Sequence, residues 1–129
     1  MSDGVLVRDL PDGGREFVLE DPVLTRLTLD GRVGLRFGAT DVIVSGPFDL
    51  EVDGVHHRLD PLRVHSLAPL LATYPGTVRW LWSSPDGSLH LQFMQGQHLV
   101  VPDHPAAPVW TVGSTTADVS RAVGRSAGR

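Results

Sequence analysis

The 129-residue sequence predicts a mainly β domain, an antiparallel sandwich or partly open barrel made of two duplicated β-meanders, with one short helix. Three observations predict it. Apolar and polar residues alternate with a period of two along most of the chain. Asp-Gly pairs at Asp30-Gly31, Asp53-Gly54 and Asp86-Gly87 punctuate those runs, as hairpin turns do. The stretch Thr77 to Val101 reads as three strands joined by two tight turns, and an abbreviated copy of it lies earlier in the chain.

Taken in order, residues 1–14 read as a leader or a short edge strand around Val5-Leu6-Val7. Arg15 to Leu19 alternates as a strand does, and Pro22 ends it, because proline cannot donate to a ladder. Val23 to Leu29 and Arg32 to Phe37 form a hairpin with Val33, Leu35 and Phe37 on one face. Asp41 to Ser45 is the third strand of this unit, and Gly46-Pro47 breaks it. Phe48 to Val52 and Val55 to Leu59 make a second hairpin, with Phe48, Leu50 and Val52 inward. After Asp60-Pro61 the period changes. Leu67, Leu70 and Leu71 fall on one helical face, so a helix is expected over 66–72. Ser66 is its expected N-cap and Pro69 lies in its first turn.

Val78 to Ser83, Ser88 to Phe93 and Gln97 to Val101 form the second meander. Pro85 and Gly87 suit a type I turn, and Gly96 suits the left-handed position of a three-residue turn. The second turn pairs Leu91 with Leu99 and Leu89 with Val101, which leaves His90, Gln92 and His98 on the opposite face. Val109 to Val112 closes the domain with Trp110 as an anchor. Residues 114–129 are small and polar and read as a flexible tail carrying Arg121, Arg125 and Arg129. The body is one domain over 15–113, with pseudo-repeats at about 23–45 and 77–101. Set residue against residue from Asp30 and Asp86 without a gap, the two units share Leu35/Leu91, Phe37/Phe93 and Val44/Val100.

Composition narrows the function. Net charge is −4, which argues against a nucleic-acid partner. There is no cysteine, so disulfides, zinc-thiolate sites and thiol nucleophiles are excluded. No apolar run is long enough for a membrane helix, and no secretory signal is expected, which places the protein in the cytoplasm. All 11 basic residues are Arg and Asn is absent, the codon bias of a high-GC bacterial genome.

No catalytic, cofactor or metal residues are assigned. His56 and His57 are neighbours on a strand and point to opposite faces. His90 and His98 are diagonal neighbours across a hairpin, without a third ligand for a metal. Asp60, Asp103 and His104 lie in loops, where aspartate beside proline forms turns. Trp80 and Trp82 share one face of their strand. If Ser84 pairs with Ser88, Trp82 lies opposite His90 and outside; a loop one residue longer turns both tryptophans into the core. In the first case Trp80, Trp82, His90, Gln92 and His98 form an aromatic and polar interaction patch.

Several features together resemble a family of small uncharacterised actinobacterial proteins: Leu35 to Phe37, Asp60-Pro61, the Leu67 to Leu71 run, Asp86 to Phe93, and Trp110 in the closing strand. The run before the tryptophan, Ala106 to Val109, departs from the family's pattern. The resemblance implies a domain of unknown function without established catalytic residues, some of whose members look like immunity proteins. The expected function is a non-enzymatic protein-interaction module, with another protein or a second copy as partner. The alternative is a small-ligand binder whose aromatic-lined pocket lies between the two meanders and is lined by Trp80, Trp82 or Trp110.

Overall fold

The computed structural model of the chain describes residues 6–114. They form two antiparallel sheets around one core, a sandwich that does not close into a barrel. The strands are β1 (Leu6–Asp9), β2 (Arg15–Val18), β3 (Leu24–Leu29), β4 (Val33–Phe37), β5 (Thr40–Val44), β6 (Phe48–Val52), β7 (Val55–Leu59), β8 (Val78–Ser83), β9 (Leu89–Phe93), β10 (His98–Val101) and β11 (Trp110–Ser114). One sheet has seven strands in the order β1-β2-β8-β9-β10-β6-β7; the other has four, in the order β11-β5-β4-β3.

The two expected meanders are β3-β4-β5 and β8-β9-β10, one in each sheet. Each hands its next strand to the other sheet: β6 pairs with β10, and β11 pairs with β5. The registers match. Leu24 lies opposite Phe37 and Val78 opposite Phe93, and each pair is followed by a bulge before Arg26 and Trp80. Between the units the Leu24 N–H donates to the Gly76 carbonyl at 2.7 Å and the Val78 N–H to the Pro22 carbonyl at 2.8 Å. These two bonds flank a single bridge, Val23 with Thr77, about which the register repeats.

The ungapped repeat fails in the third strand. Phe37 pairs with Thr40 across a two-residue turn. At the matching place the Phe93 N–H donates to the Gln97 carbonyl across three residues. Val44 therefore corresponds to Val101, and both are fully buried, whereas Val100 and Ile43 face outward. One extra turn residue inverts the sides of a strand, which is why identity of Val44 and Val100 misled.

Alternation fills the core. Phe17, Leu81, Leu89, Leu91, Leu99 and Phe48 come from the seven-stranded sheet, and Val33, Leu35, Phe37, Val42 and Val112 from the four-stranded one. Trp110 of β11 meets Phe17 of β2 edge to face at 6.2 Å. Its indole N–H reaches the Gly87 carbonyl in the β8–β9 turn at 2.9 Å, a hydrogen bond between the sheets. The Asp53-Gly54 hairpin has positive φ at both residues, as a type I′ turn requires.

Three expectations are corrected. The helix is a 3₁₀ helix, Val64–Thr73, and it packs against β6 and β7. Ser66 does not cap it. Arg63 occupies the cap position without a side-chain bond, and the Ser66 hydroxyl accepts from the Asp60 N–H at 3.0 Å and lies 2.7 Å from the Arg63 carbonyl. With three residues per turn, Leu67, Leu70 and Thr73 share the buried face, and Leu71, expected inside, is 56% exposed. The last strand, β11, runs to Ser114, which pairs with Thr40. The rest of the expected tail, with Arg121, Arg125 and Arg129, lies outside the described residues.

The helix geometry makes a clear prediction. Leu70→Ala should cost about 2–5 kcal/mol in a urea melt, and Leu71→Ala about 0.5 kcal/mol or less. Equal costs at the two positions would mean a 3.6-residue period and a wrong helix type.

Candidate functional site

The β8–β9 turn decides where the tryptophans point. The Ser84 N–H donates to the Ser88 carbonyl and the Gly87 N–H to the Ser84 carbonyl, both at 2.9 Å. Asp86 Oδ1 accepts from the Ser88 N–H at 3.0 Å and from the Ser84 hydroxyl. Ser84 thus pairs with Ser88, and Trp82 lies opposite His90. Both tryptophans stand on the outer face of the seven-stranded sheet, Trp80 52% exposed and Trp82 half-buried. Of the two registers open to the sequence, the outward one is taken.

The sheet brings the whole candidate patch together. Trp80 lies opposite Gln92, which lies opposite His98 on β10. Trp82 and His90 stack with planes 7° apart and centroids 4.7 Å apart. His98 follows, 5.9 Å from Trp82 and 5.5 Å from His90. Trp80 closes the other end, its ring 5.6 Å from Trp82 and tilted by 67°. Such pairs hold each ring in a preferred orientation.

A chain of hydrogen bonds runs beneath the stack. His98 Nε2 is 3.3 Å from His90 Nδ1, and His90 Nε2 is 3.2 Å from the Ser84 hydroxyl, which bonds Asp86. The direction of each bond follows from donor counts. The Asp86 carboxylate only accepts, so the single Ser84 proton points to it. His90 then donates from Nε2, and with its ring neutral its Nδ1 accepts from His98 Nε2. His90 is neutral in this arrangement. Its pKa lies below its ordinary 6.5, chiefly because burial disfavours the cation and next because of the positive charge of His98, against a smaller pull from Asp86. The Asp86 carboxyl is held below its ordinary 3.8, first by the Ser84 hydroxyl and then by the Ser88 N–H.

The other sequence candidates stay apart. His56 is exposed and lies 3.3 Å from Glu51, and His57 is on the opposite side of the strand. Among the described residues no three His, Asp or Glu converge as a metal centre requires. Trp110 lines no surface, being 1% exposed in the core. The space between the meanders is filled by packed side chains. The aromatic-lined pocket lies instead outside the seven-stranded sheet, where Leu10, Pro11, Asp12 and Glu16 face Trp80 and Trp82. Sequence reasoning missed those four residues. The alternation of Arg15 to Leu19 sets Glu16 opposite Phe17 in facing, but the pairing of β2 with β8 has no local signal.

The lowered His90 pKa sets a direction for stability. Between the folded pKa and 6.5 the unfolded chain binds more protons on this group, so its contribution is full above 6.5 and is lost as pH falls through the folded value. The melting temperature should fall on acidification from about pH 7.5 to about pH 5, and His90→Gln should flatten that slope. An unchanged slope in the variant would show that His90 is not the group being titrated.

No curated protein and no solved structure matches the chain significantly. A family model, described as a family of unknown function, DUF6188, matches residues 16–125. That span holds β3 to β11, all of β2 but Arg15, and every residue of the stacked face. The chain therefore belongs to the family of unknown function DUF6188.

Proposed function

We propose that the protein is a non-enzymatic interaction module that binds a partner protein through the outer face of the seven-stranded sheet. The observation that carries this reading is an ordered row of aromatic rings left on the surface. Trp80 is 52% exposed, yet its ring is oriented by Trp82, which is oriented in turn by His90 and His98. Rigid exposed tryptophans lose little entropy on binding and are frequent anchors in interfaces. The half-buried Gln92, His90 and His98 supply the polar component.

The net charge of −4 suits a basic partner surface. An immunity protein covering the active site of a toxin is the specific form we favour, on the resemblance to actinobacterial proteins of that kind. The cytoplasm of an actinobacterium, where the Arg-for-Lys bias of a high-GC genome is common, is part of the same proposal. A second copy of the chain is the competing occupant.

The test is affinity capture from the organism that encodes the chain, with wild type, Trp80→Ser/Trp82→Ser and Arg26→Ala compared. Arg26 is exposed on β3 of the other sheet. At least one protein should be retained by wild type and Arg26→Ala and lost, by about tenfold or more in yield, with the double variant. Identical retention by all three would overturn the reading. Dimerisation of wild type that the double variant abolishes would assign the face to a second copy.

A further inference from the structure

The pocket beside the tryptophans has a volume of about 460 Å³ and opens between the β1–β2 turn and β8. Leu10, Pro11 and Asp12 form one wall, Trp80 and Trp82 the other, with Glu16 beside them. Glu16 is the cross-strand neighbour of Trp82, on the side away from His90. The two indole planes are 67° apart, so the pocket is bounded by aromatic surfaces set across one another.

We propose that this pocket receives a basic side chain, arginine or lysine, from the partner protein. The inference rests on the interaction reading above and names the chemistry of one contact. Indole faces carry the negative part of the ring quadrupole and attract a cation within about 6 Å. Two carboxylates line the same place, Asp12 and Glu16, the second of them shared with Arg8 of β1. Leu10 and Pro11 supply an apolar wall for the methylene stem that precedes a charged head. An apolar occupant would satisfy the rings and strip water from the Asp12 carboxylate without an ionic partner. An anion would be repelled by Asp12.

The chain already shows the recognition. The Arg8 guanidinium donates to Glu16 from β1, with Nε at 3.2 Å and Nη2 on the same oxygen, Oε1. Asp12 is held by its own turn, since Oδ1 accepts from the Gly14 N–H at 2.9 Å. That turn is braced in place. The Leu10 N–H donates to the Gly14 carbonyl at 2.8 Å, and a Cβ added at Gly14 would lie 2.4 Å from the Ser83 carbonyl oxygen of β8. The backbone of the turn therefore sits directly against the strand that carries the tryptophans, and the pocket has two positioned walls.

The test is an NMR titration read at the indole N–H resonances of Trp80 and Trp82. The probes are N-acetyl-arginine methylamide, N-acetyl-lysine methylamide, the neutral isostere N-acetyl-citrulline methylamide, and choline. At least one cationic amide should shift both resonances saturably, about fivefold more tightly than the citrulline amide, and added salt should weaken it. Asp12→Asn/Glu16→Gln should remove that preference while leaving the Trp110 indole resonance, a report on the folded core, in place. Equal binding of the citrulline amide, or no response to either cationic amide, overturns the proposal. Tighter binding of choline than of either amide would assign the pocket to a free quaternary ammonium and overturn the side-chain assignment. If the amides fail while Trp80→Ser/Trp82→Ser still loses a partner, the cation pocket falls and the interaction module stands.

Discussion

The outer face depends on the five residues Ser84 to Ser88. A strand presents alternate side chains to opposite sides, so the length of the turn before β9 decides which set is inward. Here the turn is held from three directions. Its own backbone bonds close it, Asp86 ties Ser84 to Ser88, and Trp110 reaches from the other sheet to the Gly87 carbonyl. The last of these matters most, because it couples the turn to the packed core. A slip of β8 by one residue against β9 would turn Trp80 and Trp82 inward and expose Leu81. The tryptophans are therefore outside because the leucines beside them are inside.

The exchange of strands between the two meanders makes that core continuous. Because β6 joins β10 and β11 joins β5, neither sheet is completed by a single unit. Phe48 and Leu50 reach the seven-stranded sheet from the first half of the chain, and Trp110 and Val112 reach the four-stranded sheet from the second. The paired bulges at Leu24/Arg26 and Val78/Trp80 lie at matched positions opposite Phe37 and Phe93. A bulge adds a residue and a local twist, so two successive side chains turn outward. At the second bulge these are Arg79 and Trp80, both exposed. The feature that shapes the repeat thus also presents the most exposed tryptophan.

The histidines give the outer face its order. With His90 neutral, donation runs one way along His98, His90, Ser84 and Asp86, and the chain of bonds ends on an ionised carboxylate. Such a chain polarises each member and holds the imidazole planes. Trp82 stacks on a ring that is already held, and Trp80 leans on Trp82. A face organised in this way is pre-formed before any partner arrives, which lowers the entropy cost of recognition.

The sequence by itself determined most of the strands, the Asp-Gly hairpin turns, the inward residues of β4, β6, β9 and β10, and the sharing of one face by His90, Gln92 and His98. These follow from a period of two and from glycine at positive φ, both of which are local. It also offered both orientations of the tryptophans and could not choose, because the choice turns on one residue of loop length. Only the tertiary structure decided that choice, through the core leucines and the Trp110 bond. It also decided the helix type, where packing of Leu67 and Leu70 selects three residues per turn and leaves Leu71 outside. The pocket was beyond local reading altogether. Asp12 and Glu16 reach Trp80 and Trp82 through the pairing of β2 with β8, some 65 residues on in the sequence, and no local pattern encodes a contact at that separation.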